Sequence, residues 1–381
     1  MSSNINATKH PPRDNPERVQ AAGGGQGWPP PRFLAVGRGH RMAWRTVGNP
    51  AGAPWLLLHG GPGSSCQPGM LAPLDLARQW AIAPDQRGCG ASRPRGQTTA
   101  NTTQALVADL EALRVHLGLE CWSVLAGSWG TVVALAYAQA HPQRVQRLVL
   151  RGAFALRRRE VGGLLLPAPG VLRTLGAEPH WPGSAGHAVP PVLARLRQLL
   201  QSGTPGVAPL RVLRRWNLLE TAAAGRGMRR SLRHAMQAPC LTGPAAQPPA
   251  PSAPLAPAIR RGWAALQRQQ RRALARVQRP GADQADRRAL RKFRIQAHYL
   301  LHRGFVRPGE LDRTVLRLAE QGIRVDWVHG RFDAICPPAN SRRWAAMGPP
   351  HAAYLQTPCS GHLGHEPGLL AALRATVRNP C

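Results

Sequence analysis

The stretch Leu125-Ala-Gly-Ser128-Trp-Gly130 puts a serine at the apex of a turn of small residues, between an apolar run and a segment of helical composition. A strand entering a helix through so tight a turn holds a serine hydroxyl clear of its neighbours at the helix N-terminus, where it can act as a nucleophile. Ala126 stands where such turns usually have glycine, and alanine is still small. An ordinary strand-to-helix connection capped by serine would use much the same residues. Serine is a weak nucleophile at neutral pH, so it needs a base to take its proton and an acid to orient that base. Both types lie downstream. Asp333 closes His329-Gly-Arg-Phe-Asp333, just past the apolar run Arg324 to Val328, and His362 lies in the loop Ser360-Gly-His362-Leu-Gly-His365-Glu-Pro367. Asp326 is a rival acid, though inside the strand, and His365 a rival base three residues on. Serine, acid and histidine follow one another in chain order, each just past a strand end. That order makes Ser128, Asp333 and His362 the preferred set for acyl transfer.

Acyl transfer also needs donors for the oxyanion of its tetrahedral intermediate, usually backbone N–H groups. One source is the amide of Trp129, directly after the serine. The other is His59-Gly-Gly-Pro-Gly63, a loop after an early strand, where glycines allow close backbone approach. A tight turn alone would explain the glycines, but not their position after that strand. A phosphate-binding loop is disfavoured, because the Walker lysine and the G-x-G-x-x-G spacing are both missing.

These residues require a sheet with its strand ends on one edge. Arg32 to Gly39 and His40 to Val47 read as a hairpin, and Trp55-Leu-Leu-Leu58, Trp80-Ala-Ile-Ala83 and Trp122-Ser-Val-Leu125 as short strands. Thr102 to Leu117, with an N-terminal threonine cap, and Gly130 to Ala140 have helical character, and Arg147 to Leu150 is a further strand. The alternation predicts an α/β fold, a mostly parallel sheet with helices on both faces. The pattern breaks from about 157 to 300, where Pro-rich pieces such as Ala245 to Pro257 separate helical segments such as Gly262 to Val277. This stretch reads as an inserted helical cap. The core resumes over 301–381, with strands at Ile323 to Val328 and Ala352 to Leu355 and a terminal helix from about Gly368. Residues 1–30, polar and then rich in Gly and Pro, read as a disordered leader ahead of the first core part, 31–156.

Charge is the most unusual bulk property. Against 18 Asp and Glu stand 50 Lys and Arg, a net +32 that suggests an anionic partner. Lysine occurs only as Lys9 and Lys292, however, and the arginines are spread along the chain in no block longer than Arg157 to Arg159. Solvated surface arginine explains this better than nucleic-acid binding does. The seven cysteines form no CxxC pair and no framework, which predicts free thiols in a reducing compartment. With no apolar signal core and no membrane-length apolar run, a cytoplasmic enzyme without membrane association is expected.

Six segments together resemble the proline iminopeptidases. They are His59-Gly-Gly-Pro-Gly63; Asp85-Gln-Arg-Gly-Cys-Gly90 with Ser92-Arg-Pro94; Gly127-Ser-Trp-Gly130; Tyr137 to Pro142; His329-Gly-Arg-Phe-Asp333 with Cys336-Pro337; and Gly361-His362 with Glu366-Pro367. The likeness runs from about Phe33 to Arg159 and from about Phe293 to Pro367. It implies an α/β-hydrolase fold with the inserted cap, the triad Ser128, Asp333 and His362, and Gly61 and Trp129 as oxyanion donors. It also implies a cofactor-free serine peptidase that releases an N-terminal residue, above all proline, from peptides with a free N-terminus. In that family cap carboxylates hold the substrate's terminal amine, and a buried ammonium does need such a partner. Trp216-Asn-Leu-Leu-Glu220 resembles the segment that ends in one of them, which makes Glu220 the implied anchor. In Arg294-Ile-Gln296-Ala-His-Tyr299 the second is replaced by Gln296, which can accept a hydrogen bond but brings no charge. The family's aromatic residues after Arg157 to Glu160 are replaced by Val161-Gly-Gly-Leu-Leu-Leu166. Two alternatives stand beside this reading: an esterase or aminoacyl-amide hydrolase with the same triad, and a non-catalytic basic binding protein. Cys89 and Cys336 read as buried thiols, since neither has a base and orienter of its own.

Overall fold

The structure, a computed structural model, describes residues 27–167, 171, 181–201, 206–237, 255–277, 279–349 and 352–378. The expected leader up to residue 26, most of the Pro-rich stretch from Ala245, and Cys240 and Cys381 lie outside the described residues.

An eight-stranded sheet carries the molecule. Its strands are β1 (Arg32–Ala35), β2 (Arg41–Gly48), β3 (Ala53–Leu58), β4 (Gln79–Pro84), β5 (Trp122–Gly127), β6 (Val145–Arg151), β7 (Arg324–Val328) and β8 (Ala353–Gln356), in the order β1-β2-β4-β3-β5-β6-β7-β8. β2 runs antiparallel to both β1 and β4, and every later pairing is parallel. Alternation along the strands sends successive side chains to opposite faces. Leu56, Leu58, Ile82, Val124 and Leu148 pack on one face against α1 (Thr103–His116) and α2 (Trp129–Ala140). Trp55, Leu57, Ala81, Leu125 and Val149 pack on the other against α10 (Pro367–Arg378). Thr102 caps α1 by accepting a bond from the Ala105 amide, as its sequence position predicts.

Between β6 and β7 lie α3 (Arg158–Leu165), α4 (Val189–Leu200), α5 (Val207–Gln237), α6 (Leu255–Val277), α7 (Gln284–Leu301) and α8 (Glu310–Glu320), and α9 (Ala339–Ala345) follows β7. The Gly262 to Val277 segment is the C-terminal part of α6. This helix begins before Pro257, and a proline in a first turn removes no needed hydrogen bond. Neither α8 nor α9 is among the elements expected from the sequence, although Leu311, Val315 and Leu318 repeat at helical spacing on the buried side of α8. No helix among the described residues is long and apolar enough to cross a membrane.

Asp326, the rival acid, has a structural task. It is fully buried in β7, where Oδ2 accepts from Arg147 Nη2 at 2.6 Å and Oδ1 from Arg324 Nε at 3.1 Å. Removing one partner of a buried pair strands the other charge. Asp326→Ala is therefore expected to lower unfolding free energy by about 3–5 kcal/mol in a denaturant titration, while the folded fraction keeps its kcat.

Candidate active site

The turn between β5 and α2 holds Ser128 at φ 55° and ψ −126°, a conformation that L-residues rarely adopt. It is locked from several sides. The Ser128 amide donates to the Arg151 carbonyl at 2.9 Å, and Thr131 Oγ1 donates to the Ser128 carbonyl at 2.7 Å. Gly130 packs against the Leu58 carbonyl with no room for a Cβ. At Gly127 the Arg151 guanidinium lies in the space a Cβ would take. Ala126, by contrast, is buried at 2% exposure and packs in the core cluster.

The loop after β3 lies against this turn: a Cβ on Gly60 would stand 3.2 Å from Ser128 Cβ. Gly61 adopts φ 121°, a backbone state that favours glycine. Trp129 is the first residue of α2, so the helix itself offers its N–H no acceptor. One residue that sequence reasoning missed joins the two sides. Gln86 donates from Nε2 to the His59 carbonyl at 2.8 Å and accepts from Trp129 Nε1 at 3.0 Å, while its amide donates to His59 Nε2 at 3.0 Å. Burial lowers the pKa of His59, which keeps the ring neutral, and Nδ1 then donates to the Gly60 carbonyl at 3.0 Å. Asp85 and Arg87 organise the neighbouring loop: Asp85 accepts the amides of Cys66 and Ala91, and Arg87 grips Asp109 with two nitrogens at 2.6 and 2.7 Å.

Asp333 and His362 arrive from the ends of β7 and β8. His362 Nδ1 donates to Asp333 Oδ2 at 2.7 Å, and His329 Nε2 lies 3.3 Å from the same oxygen. Asp333 Oδ1 accepts the amides of Ile335 and Cys336 at 2.8 and 2.9 Å. Burial by itself would raise the Asp333 pKa. The positive charge available to His362 and the hydrogen bonds from both histidines outweigh it and hold the carboxyl well below the usual carboxylate range. The His362 loop is pinned by Glu366, which accepts the Gly361 and Leu363 amides at 2.6 and 2.9 Å, and by Arg151 Nη1, which donates to the His362 carbonyl at 2.5 Å. Gly152, at φ 57°, leaves its open side to this pair, for a Cβ there would sit 3.3 Å from His362 Cε1. Arg151 could have been suspected from sequence as a charged residue at a strand end beside the elbow.

Ser128 and His362 line one cavity of about 420 Å³. The Ser128 hydroxyl makes its contact with Cys336 Sγ, at 3.9 Å, and is not hydrogen-bonded to His362. Burial pushes the Cys336 thiol pKa well up, with Asp333 adding to the effect, so the sulfur stays protonated and a poor nucleophile. Cys89 is likewise buried, and burial raises its pKa too. The rival base His365 also lines the cavity but lacks a carboxylate partner among its described contacts, and burial lowers its pKa.

Glu220 on α5 and Gln296 on α7 face the same cavity, 76 residues apart in sequence and 2.6 Å apart in space, with Gln296 Nε2 donating to Glu220 Oε1. The sequence expects an acceptor in Gln296; its amide nitrogen is in fact the group turned to the carboxylate. Glu220 Oε2 is taken by Lys292 Nζ at 2.5 Å, a partner that nothing in the sequence announces. Phe154, Leu164, Leu300 and Ile335 supply apolar lining, so an apolar wall exists although the expected aromatics after Glu160 are absent. Among the described residues no cluster of His, Cys, Asp and Glu could hold a metal ion.

Residues 54–217 match the family model of the alpha/beta hydrolase fold. The proline iminopeptidase of Xylella fastidiosa strain 9a5c is 33% identical over 347 residues, covering 90% of this chain and 93% of that protein. That of Neisseria meningitidis serogroup A is 33% identical over 352 residues, covering 91% and 94%. Among solved structures, an esterase from Exiguobacterium antarcticum superposes with a TM-score of 0.52 at 15% identity over 91% of this chain and 99% of its own. A 2-hydroxy-6-oxo-6-phenylhexa-2,4-dienoate hydrolase from Rhodococcus does so at 0.50 and 19% identity, covering 91% and 96%. At such identities these two speak to fold alone.

Proposed function

The chain belongs to the proline iminopeptidase family of α/β-hydrolases, and from that premise we propose that it releases N-terminal proline from peptides through an acyl-enzyme on Ser128. The observation that carries the reading is the 2.7 Å hydrogen bond to Asp333 from His362, which lines a cavity together with the elbow serine. In this mechanism Ser128 Oγ attacks the carbonyl carbon of the first residue while His362 Nε2 takes the hydroxyl proton. Asp333 fixes the ring with its Nδ1–H inward and stabilises it once charged. The amides of Gly61 and Trp129 receive the oxyanion. As the intermediate collapses, the C–N bond breaks and His362 passes its proton to the leaving amine. A water molecule, deprotonated by the same ring, then attacks the ester, which returns Ser128 and frees proline. Glu220 and Gln296 face the terminal amine, and Phe154, Leu164 and Leu300 the pyrrolidine ring.

Residues 157–300 act as the cap that closes this site, carried on a core formed by 31–156 and 301–381. The partners are peptides with a free N-terminus. A cytoplasmic location accompanies the reading, supported by free thiols at Cys66, Cys89, Cys121, Cys336 and Cys359. The same triad would also serve an esterase, and substrate comparison separates the two. L-proline arylamide should be cleaved, and N-acetylation should lower kcat/KM by about 10-fold or more, because the acetyl group adds bulk and removes the N–H donor. A preference for a simple aryl ester, or indifference to acetylation, would favour the esterase.

A further inference from the structure

We infer that Lys292 is a specificity-determining residue, a tethered cation that occupies Glu220 and competes with the terminal ammonium of the substrate. The inference rests on the proposed reading that the amine is received at Glu220. Lysine is rare in this protein, present only as Lys9 and Lys292 among 50 basic residues, and one of the two stands in the cavity of the elbow serine. Its position is fixed by its backbone: the Lys292 carbonyl packs on Gly63 of the loop after β3, with no room for a Cβ. From there Nζ reaches Glu220 Oε2 at 2.5 Å and lies 4.6 Å from the centre of the Phe293 ring. The pair is partly shielded, with side-chain exposures of 27% and 23%, so water screens it incompletely.

The charge balance of the cavity follows. Among the described lining residues Glu220 is the carboxylate, and Lys292 and Arg151 are cations on the same wall. A site with a free carboxylate attracts an ammonium; here each oxygen of that carboxylate already accepts one hydrogen bond and its charge is offset by Lys292. What remains open is Gln296 Oε1, which is buried and has no hydrogen-bond partner. The orientation of this amide is not arbitrary, because turning it over would set its oxygen against Glu220 Oε1. The carbonyl therefore offers an amine one neutral acceptor, while an ammonium at Glu220 must compete with Lys292 for the carboxylate's charge. If the free form of Glu220 is present in about one molecule in ten, the apparent affinity for a cation is lowered by the same factor. Uncharged acyl groups of the same shape do not have to displace Lys292.

The test is calorimetric binding to Ser128→Ala protein, which reads recognition without turnover. Lys292→Met should tighten prolinamide binding by about 10-fold or more, with Lys292→Gln behaving alike and Lys292→Arg staying near the parent. Cyclopentanecarboxamide, the uncharged isostere, should bind equally to all four proteins. Thermal melts confirm that the variants fold, and methionine suits a helix as well as lysine does. Equal affinity of prolinamide for the parent and Lys292→Met, a parallel gain for the isostere, or no prolinamide binding to either protein would overturn the inference. Failure of the proposed function would be seen separately, as turnover of L-proline arylamide that survives Ser128→Ala.

Discussion

Replacing Ser128 by alanine is expected to lower kcat for L-proline arylamide by at least about 10⁴-fold, with KM little changed. The substitution deletes the atom proposed to form the acyl bond and leaves the cavity, the Gly61 and Trp129 amides and Glu220 and Gln296 in place. Whatever rate remains would come from oxyanion stabilisation and binding alone. The nearby sulfur will not take over. Cys336 Sγ is 3.9 Å from the serine oxygen, but burial and the charge of Asp333 keep its thiol protonated, so it cannot supply a thiolate. A rate loss below about 10-fold, measured with protein free of wild-type contamination, would show that another residue carries the acyl group.

Asp333→Asn is expected to lower kcat by about 10³- to 10⁴-fold without loss of the fold. The reason lies in which oxygen each partner uses. Oδ1 accepts two backbone amides, from Ile335 and Cys336, and those donors will keep the carbonyl of an asparagine on their side. The new NH₂ group must then face His362 Nδ1 and His329 Nε2, where Oδ2 now accepts. His362 can meet a donor at Nδ1 only by moving its proton to Nε2, and a protonated Nε2 cannot take the serine proton. The effect is thus one of tautomer as much as of charge. It predicts that kcat falls while prolinamide still binds to the variant.

Much of this was open to inspection in the sequence, for physical reasons that differ from residue to residue. Strand ends are marked by changes in hydrophobic patterning, so the elbow at Ser128 and the loops of Asp333 and His362 could be assigned to one sheet edge. The actual strands, from Ala53–Leu58 to Ala353–Gln356, differ from the expected ones by a residue or two at their ends. The cap residues behave otherwise. Glu220, Lys292 and Gln296 meet because α5 and α7 pack at a particular rotation, and no short-range pattern records that rotation. Resemblance could suggest Glu220 and Gln296, but it carried no hint of Lys292, whose helix would look the same on a solvated surface. Gln86 escaped notice because its role depends on two neighbours, His59 and Trp129, far away along the chain. The partnership of Arg147 with Asp326 was hidden similarly, in the register between β6 and β7. Helix α8 has a plain apolar period, but the long irregular stretch before it hides where the regular pattern resumes.

Titration of the wild-type protein with a fluorophosphonate, with the adduct mapped by mass spectrometry, shows whether Ser128 is the nucleophile of a triad completed by Asp333 and His362. A single adduct is expected on the peptide that contains Ser128, formed in step with the loss of prolyl arylamidase activity and abolished by Ser128→Ala. Full activity after complete reaction, or inactivation with the adduct on Cys336 or any other residue, would contradict it.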